Sequence, residues 1–192
     1  MTARALLIWT ALLAALLVPI VAATTSPLLE WRDPIYIAGG FAGIAALSLV
    51  ALQPLLAAEV VPGLTRPRAG RIHLWTGGAL VAAVILHVTG LWITSPPDVI
   101  DALTFTSATP FSVWGVLAMW LLFAAAALVM LRRRLGLSPK TFKTLHKTLV
   151  TLVALGTILH IIPIEGTMEP ITKSVALIVL AAALGNALMR TR

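Results

Sequence analysis

The chain has 192 residues, 59% of them hydrophobic and only 11% charged, against roughly 25% charged in a soluble domain, so it lacks the polar groups to clothe a water-facing surface. A formal net charge of +7 would suit nucleic acid, but the basic residues sit between apolar runs, a pattern that points to a membrane and not to nucleic acid. The lack of cysteine excludes disulfides, thiol catalysis, cysteine-ligated iron–sulfur clusters and haem attached through C-x-x-C-H.

Six apolar runs of about 20 residues, the length that crosses a bilayer, predict an all-α integral membrane six-helix bundle. The spans fall at about 5–23, 35–58, 72–94, 111–131, 141–162 and 171–189, and residues 1–192 form one domain. They leave no room for a Rossmann, flavin or nucleotide domain. The first run has a rival reading as a cleaved signal peptide. An apolar signal core is usually about 7–15 residues; this one is longer and contains Trp9 and Pro19, so a retained span is expected. In the second span, Gly39 and Gly43 form a Gly-x-x-x-Gly spacing that lets helices approach closely, and Pro54 is expected to kink the helix. The third and fifth spans carry all four histidines: His73, His87, His146 and His160. Proline and glycine punctuate the gaps, as in Asp33-Pro34, Pro62-Gly63, Pro96-Pro97 and Ser138-Pro139.

Charge orients the bundle. With the N-terminus in the cytoplasm, Arg4, Arg66, Arg68, Arg71, Arg132, Arg133, Arg134, Lys140, Lys143, Lys147, Arg190 and Arg192 fall inside, 12 of the 14 basic residues. Arg32 and Lys173 stay outside, with six of the seven acids. This positive-inside bias predicts that both termini are cytoplasmic in a bacterial-type inner membrane protein.

The histidines repeat one spacing: His73 to His87 and His146 to His160 are each 14 residues. Fourteen residues come within about 40° of four full turns and rise about 21 Å. Each pair therefore lies on one helix face with one imidazole near each leaflet. Both helices run from inside to outside, so His73 and His146 share the inner level and His87 and His160 the outer one. A single zinc ion cannot span two levels about 21 Å apart. A proton relay usually enlists intramembrane carboxylates, and the middles of these spans hold none. Two imidazoles on opposite sides of a macrocycle make six-coordinate haem iron. Two such pairs would form an electron path through an otherwise insulating bilayer. Gly77, Gly90 and Gly156, each one turn from a histidine, are expected to flank the porphyrin.

The stretch Arg71-Ile-His-Leu-Trp-Thr-Gly, then His87-Val-Thr-Gly, and Phe142-Lys-Thr-Leu-His146 followed by His160, resembles the ferric reductase-like transmembrane domain. That superfamily includes NADPH oxidases, ferric reductases and the haem subunit of the periplasmic methionine sulfoxide reductase system. The resemblance covers essentially the whole chain. It implies two haem b groups, His73 with His146 and His87 with His160, and electron flow outward as the membrane component of an oxidoreductase. The Trp/Phe-x-x-Leu-His pattern near His146 is similar to the methionine sulfoxide reductase subunit, whereas His73 fits the two-haem oxidase pattern. The dehydrogenase domain of the oxidases has no counterpart here. The expected donor is a separate flavoprotein reductase or quinol, with FMN or FAD only on a partner or at the membrane surface. The outer acceptor is left open among Fe³⁺, O₂, quinone and a periplasmic enzyme. Two alternatives remain: a quinol-linked cytochrome b anchor of a soluble enzyme, and a non-redox scaffold or transporter. Arg71, two residues from His73, is the best basic candidate for a haem propionate; Arg66 and Arg68 serve equally well as lipid anchors. Trp75 is a candidate haem contact, and Asp98 and Asp101 form an acidic outer loop.

Overall fold

The computed structural model describes residues 2–166 and 168–190. Among the inner-side cations, Arg192 and the side chains of Arg4 and Arg190 lie outside the described residues. The described chain is all helix and loop: α1 (Ala3–Ala23), α2 (Pro34–Ala57), α3 (Arg66–Thr94), α4 (Pro96–Leu103), α5 (Phe111–Leu131), α6 (Pro139–Ile161) and α7 (Pro170–Arg190). Among the described residues six helices, all but α4, are long and apolar enough to cross a membrane, as the sequence predicts.

The helix starts follow from local chemistry. Asp33 caps α2 by accepting from the Ile35 backbone N–H at 2.7 Å, and Ser138 caps α6 by accepting from Thr141. Both are followed by proline, which lacks the donor that a first helical turn cannot satisfy anyway. Two boundaries differ from expectation. Helix α3 begins at Arg66 and not near residue 72, because arginine interrupts the hydropathy but is a good helix former. The Pro96-Pro97 pair, expected in a loop, instead opens the short helix α4 with Asp98 in its first turn.

The chain divides into two compact units. In the first, residues 1–94 and 165–192, α2 is the central helix and packs against α3, α7 and α1. Its buried side chains include Ile44, Leu47, Val50 and Leu56, and Leu180 of α7 is fully enclosed. In the second unit, residues 95–164, α5 pairs with α6, burying Val116, Met119 and Leu122 against Val153, Ala154 and Gly156. The outward faces stay apolar: Leu7 is 70% exposed, Leu86 63% and Ile178 67%. Exposed leucines and isoleucines on helices of this length suit a hydrocarbon surround.

Two glycines make close helix approach possible. A β-carbon added at Gly90 of α3 would stand 2.9 Å from the Gly39 Cα of α2, and one at Gly156 of α6 would stand 3.2 Å from the Trp114 carbonyl oxygen of α5. Gly90 and Gly156 are thus consumed by helix packing inside each unit, a role different from the porphyrin-flanking one the sequence suggested. Gly77 faces the Gln53 side chain, at 3.8 Å from its would-be β-carbon.

Candidate functional site

Each unit holds one of the predicted histidine pairs on a single helix: His73 and His87 on α3, His146 and His160 on α6. All four side chains are half-buried. On α3 the shared face is visible, since both rings turn to α2: His87 Nδ1 lies 2.8 Å from the Gly39 carbonyl oxygen and His73 Nδ1 3.3 Å from that of Gln53.

His87 and His160 sit in matching surroundings. The Nδ1 of His160 lies 2.9 Å from the Phe111 carbonyl oxygen on α5. A carbonyl oxygen only accepts, so in both residues Nδ1 carries the proton and donates it, and Nε2 carries the lone pair. Four residues after each acceptor comes a glycine pressed against the ring. A β-carbon at Gly43 would stand 2.9 Å from His87 Nδ1, and one at Gly115 would stand 2.7 Å from His160 Nδ1 and Cε1. Real β-carbons do not approach that closely, so in each hairpin only glycine leaves the ring its place. Phe111 also packs its ring on His160, at 5.8 Å between centroids.

The other two histidines are seated differently. His73 lies beside the amide of Gln53, within a cluster that includes Thr76 and Gly77. His146 is stacked on Phe142 of its own helix, with centroids 5.7 Å apart and planes 12° from parallel. The Arg132 guanidinium covers the same Phe142 ring at 5.4 Å from its centroid, a cation–π contact.

The seats of His87 and His160 are compatible with an axial role toward haem. A metal-bound histidine ordinarily donates its other ring N–H to a carbonyl or carboxylate, which fixes its tautomer and raises its basicity. His87 and His160 both meet that condition. Among the described residues no three His, Cys, Asp or Glu side chains gather as a metal site; a haem iron asks for only two axial imidazoles.

Sequence reasoning finds the histidines but reads Gly43 as helix packing and passes over Gly115. The usable signal is positional: Gly115 follows Gly43 by 72 residues, almost the 73 that separate His160 from His87. Of the basic candidates, Arg71 is exposed on α3, and Arg66 pairs with Glu59 at 3.0 Å. Trp75 is 79% exposed.

The sequence model of the family described as "Ferric reductase like transmembrane component" matches residues 42–157, more than half of the chain, and takes in His73, His87 and His146 together with Gly43, Gln53 and Gly115, while His160 lies three residues beyond the match. No curated protein and no solved structure matches the chain.

Proposed function

The chain belongs to the ferric reductase-like transmembrane family, and on that premise we propose that it moves electrons across a membrane through two bis-histidine b-type haems. His73 with His146 would hold one haem, and His87 with His160 the other. The observation that carries this reading is the twofold construction of the His87 and His160 seats: a backbone acceptor on Nδ1 and a glycine against the ring, in two separate hairpins. A bound haem supplies a one-electron iron couple whose potential follows its axial ligands and their hydrogen bonds.

The chain's residues do the rest. The Gly39 and Phe111 carbonyls hold the protons of His87 and His160 on Nδ1 and so keep each lone pair on Nε2. Gly43 and Gly115 admit the rings. The pairing of histidines across the helices rests on their equal 14-residue spacing and on the parallel run of the two helices that charge bias predicts. Arg71, two residues before His73 on α3, is the basic side chain proposed to meet a propionate.

Direction follows from charge. The basic side faces the cytoplasm of a bacterial-type membrane and favours an acidic or anionic donor, either a flavoprotein reductase or a quinol. The membrane potential, negative inside, favours an electron leaving by about 2.3 kcal/mol per 100 mV for a full crossing. The test uses sealed right-side-out vesicles loaded with a reductant and offered an impermeant external acceptor. The account expects electron flux to the outside that His87→Ala abolishes. Flux unchanged in His87→Ala, or flow that runs only inward, overturns it.

A further inference from the structure

Phe142 lies near the start of α6, four residues before His146, an interval that brings two side chains together on one helix face. The two rings lie within 12° of parallel, with centroids 5.7 Å apart. An offset stack of that kind favours one plane for each ring. Phe142 is itself only half-buried, so its own plane needs a support. Arg132 supplies one: its guanidinium carbon lies over the Phe142 ring, 5.4 Å from the centroid, inside the roughly 6 Å reach of a cation–π contact.

The backbone presents Arg132 to that ring. Arg132 closes α5 in a helical conformation, with φ −50° and ψ −38°, and its carbonyl oxygen accepts the Leu137 N–H at 3.3 Å. Gly136 turns the chain at φ +59°, a conformation that glycine adopts without steric cost. Ser138 then starts α6. Its carbonyl oxygen accepts the Phe142 N–H at 2.9 Å, and its hydroxyl accepts the Thr141 N–H at 3.1 Å. Arg132 and Phe142 thus stand at the two ends of a turn that is closed by its own backbone bonds.

We propose that Arg132 and Phe142 are positioning residues for His146: Phe142 sets the plane of the imidazole, and Arg132 holds Phe142 against it from the end of α5. His160, on the same helix, takes its orientation from the Phe111 carbonyl, with the Phe111 ring tilted at 57°. The two histidines of α6 are therefore oriented by different forces. The consequence for an iron rests on the proposed haem function; the seating of the ring does not. The plane of an axial imidazole shapes the low-spin ferric signal, and a cation nearby favours the reduced iron, which carries one positive charge less.

The experiment uses the full chain, free of haem, in lipid nanodiscs with isotope-labelled histidine, and reads the order parameter of each ring by nuclear magnetic resonance. Single substitutions assign the four histidines. Phe142→Leu removes the stacking face and should lower the order of the His146 ring while leaving His160 unchanged; Phe142→Tyr keeps the face and should keep the order. Arg132→Gln should lower the order by less than Phe142→Leu does. Arg132→Lys, which keeps a cation for the ring, should stay closer to the wild type than Arg132→Gln. The signals of His87 and His160 report whether a variant has folded; if Phe142→Leu has not, Phe142→Tyr and the two Arg132 variants decide. A His146 ring as ordered in folded Phe142→Leu as in the wild type, one loosened by Phe142→Tyr, or one that responds alike to Arg132→Gln and Arg132→Lys overturns the proposal. In a second arm, with haem bound, Phe142→Leu and Arg132→Gln should alter the electron paramagnetic resonance signal that His146→Ala removes and spare the other. Arg132→Gln should also lower the reduction potential of that component, and Arg132→Lys should not. A His146-dependent signal unchanged in both variants would overturn the reach of the stack to the iron. A chain that takes up no haem at all would sink the electron-transfer reading and leave the ring-order result standing.

Discussion

His87 and His160 lie on helices far apart in the chain, yet each is seated by the same two elements. His73 and His146, four turns away on those same helices, share no such design: one faces an amide, the other a stacked phenylalanine. The difference teaches where sequence freedom lies. A backbone carbonyl is present whatever the residue, so Gly39 and Phe111 can do the same work. The only side-chain demand is a glycine four residues later. At His73 and His146 side chains, those of Gln53 and Phe142, also stand against the rings, and each seat is tuned by its own residue.

The largest effect that tests this contrast is loss of a ligand. His87→Ala and His160→Ala should each remove one haem component, and the same one, cutting bound haem to about half of a two-haem complement. His73→Ala and His146→Ala should each remove the other. Redox titration of the four variants resolves the components; if His73→Ala and His160→Ala lost the same one, the pairing by level would be broken.

A smaller effect is expected at the glycines. Gly115→Ala puts a β-carbon 2.7 Å from the His160 ring, and Gly43→Ala one 2.9 Å from His87. Each should displace its ring and alter the low-spin ferric signal of the His87–His160 haem in electron paramagnetic resonance, with Gly115→Ala the more severe. The signal of the second haem should stay as it is. A wild-type spectrum in both variants would mean that the glycines do not set the rings.

Packing glycines sharpen the distinction between seat and scaffold. Gly90→Ala meets the Gly39 backbone at 2.9 Å and should cost about 1–3 kcal/mol of stability, as overpacking does. Gly77→Ala, with its nearest contact at 3.8 Å, should be close to neutral. Thermal unfolding in detergent ranks the two; equal midpoints would contradict the close α2–α3 approach.

The long helices are legible in the amino-acid sequence, because apolar runs of that length allow few alternatives. The 14-residue repeat likewise picks out one face of α3, which the structure shows turned to α2 through His73 and His87. The ring seats are not legible. Which glycine meets a histidine depends on the register between antiparallel helices, and Gly39-x-x-x-Gly43 looks like packing alone. It is half that: Gly39 packs against Gly90, while Gly43 receives the His87 ring. The start of α3 escapes a hydropathy reading because the apolar run stops short of the arginines that the helix still includes. The Gln53 contact is hidden by its 20-residue separation from His73.

The smallest expected effect lies away from both levels and serves as a control. Glu169 is held below the usual glutamate range because its carboxylate accepts the backbone N–H groups of Thr172, at 2.6 Å, and of Ile171, at 2.7 Å. A depressed carboxylate stabilises the fold above its ordinary pKa, and that contribution is lost as pH falls through the depressed value. Acidification should therefore loosen the start of α7, read by amide hydrogen exchange, without changing either haem signal. Glu169→Gln should remove most of that pH dependence.

The most direct test of the central claim is a haem count on the purified chain, by pyridine haemochrome assay with the visible spectra of its oxidised and reduced forms. Two non-covalent b-type haems per chain, both low-spin, are the predicted result. A chain that binds no haem when reconstituted, or whose haem is high-spin and insensitive to substitution of His87 and His160, would contradict the account.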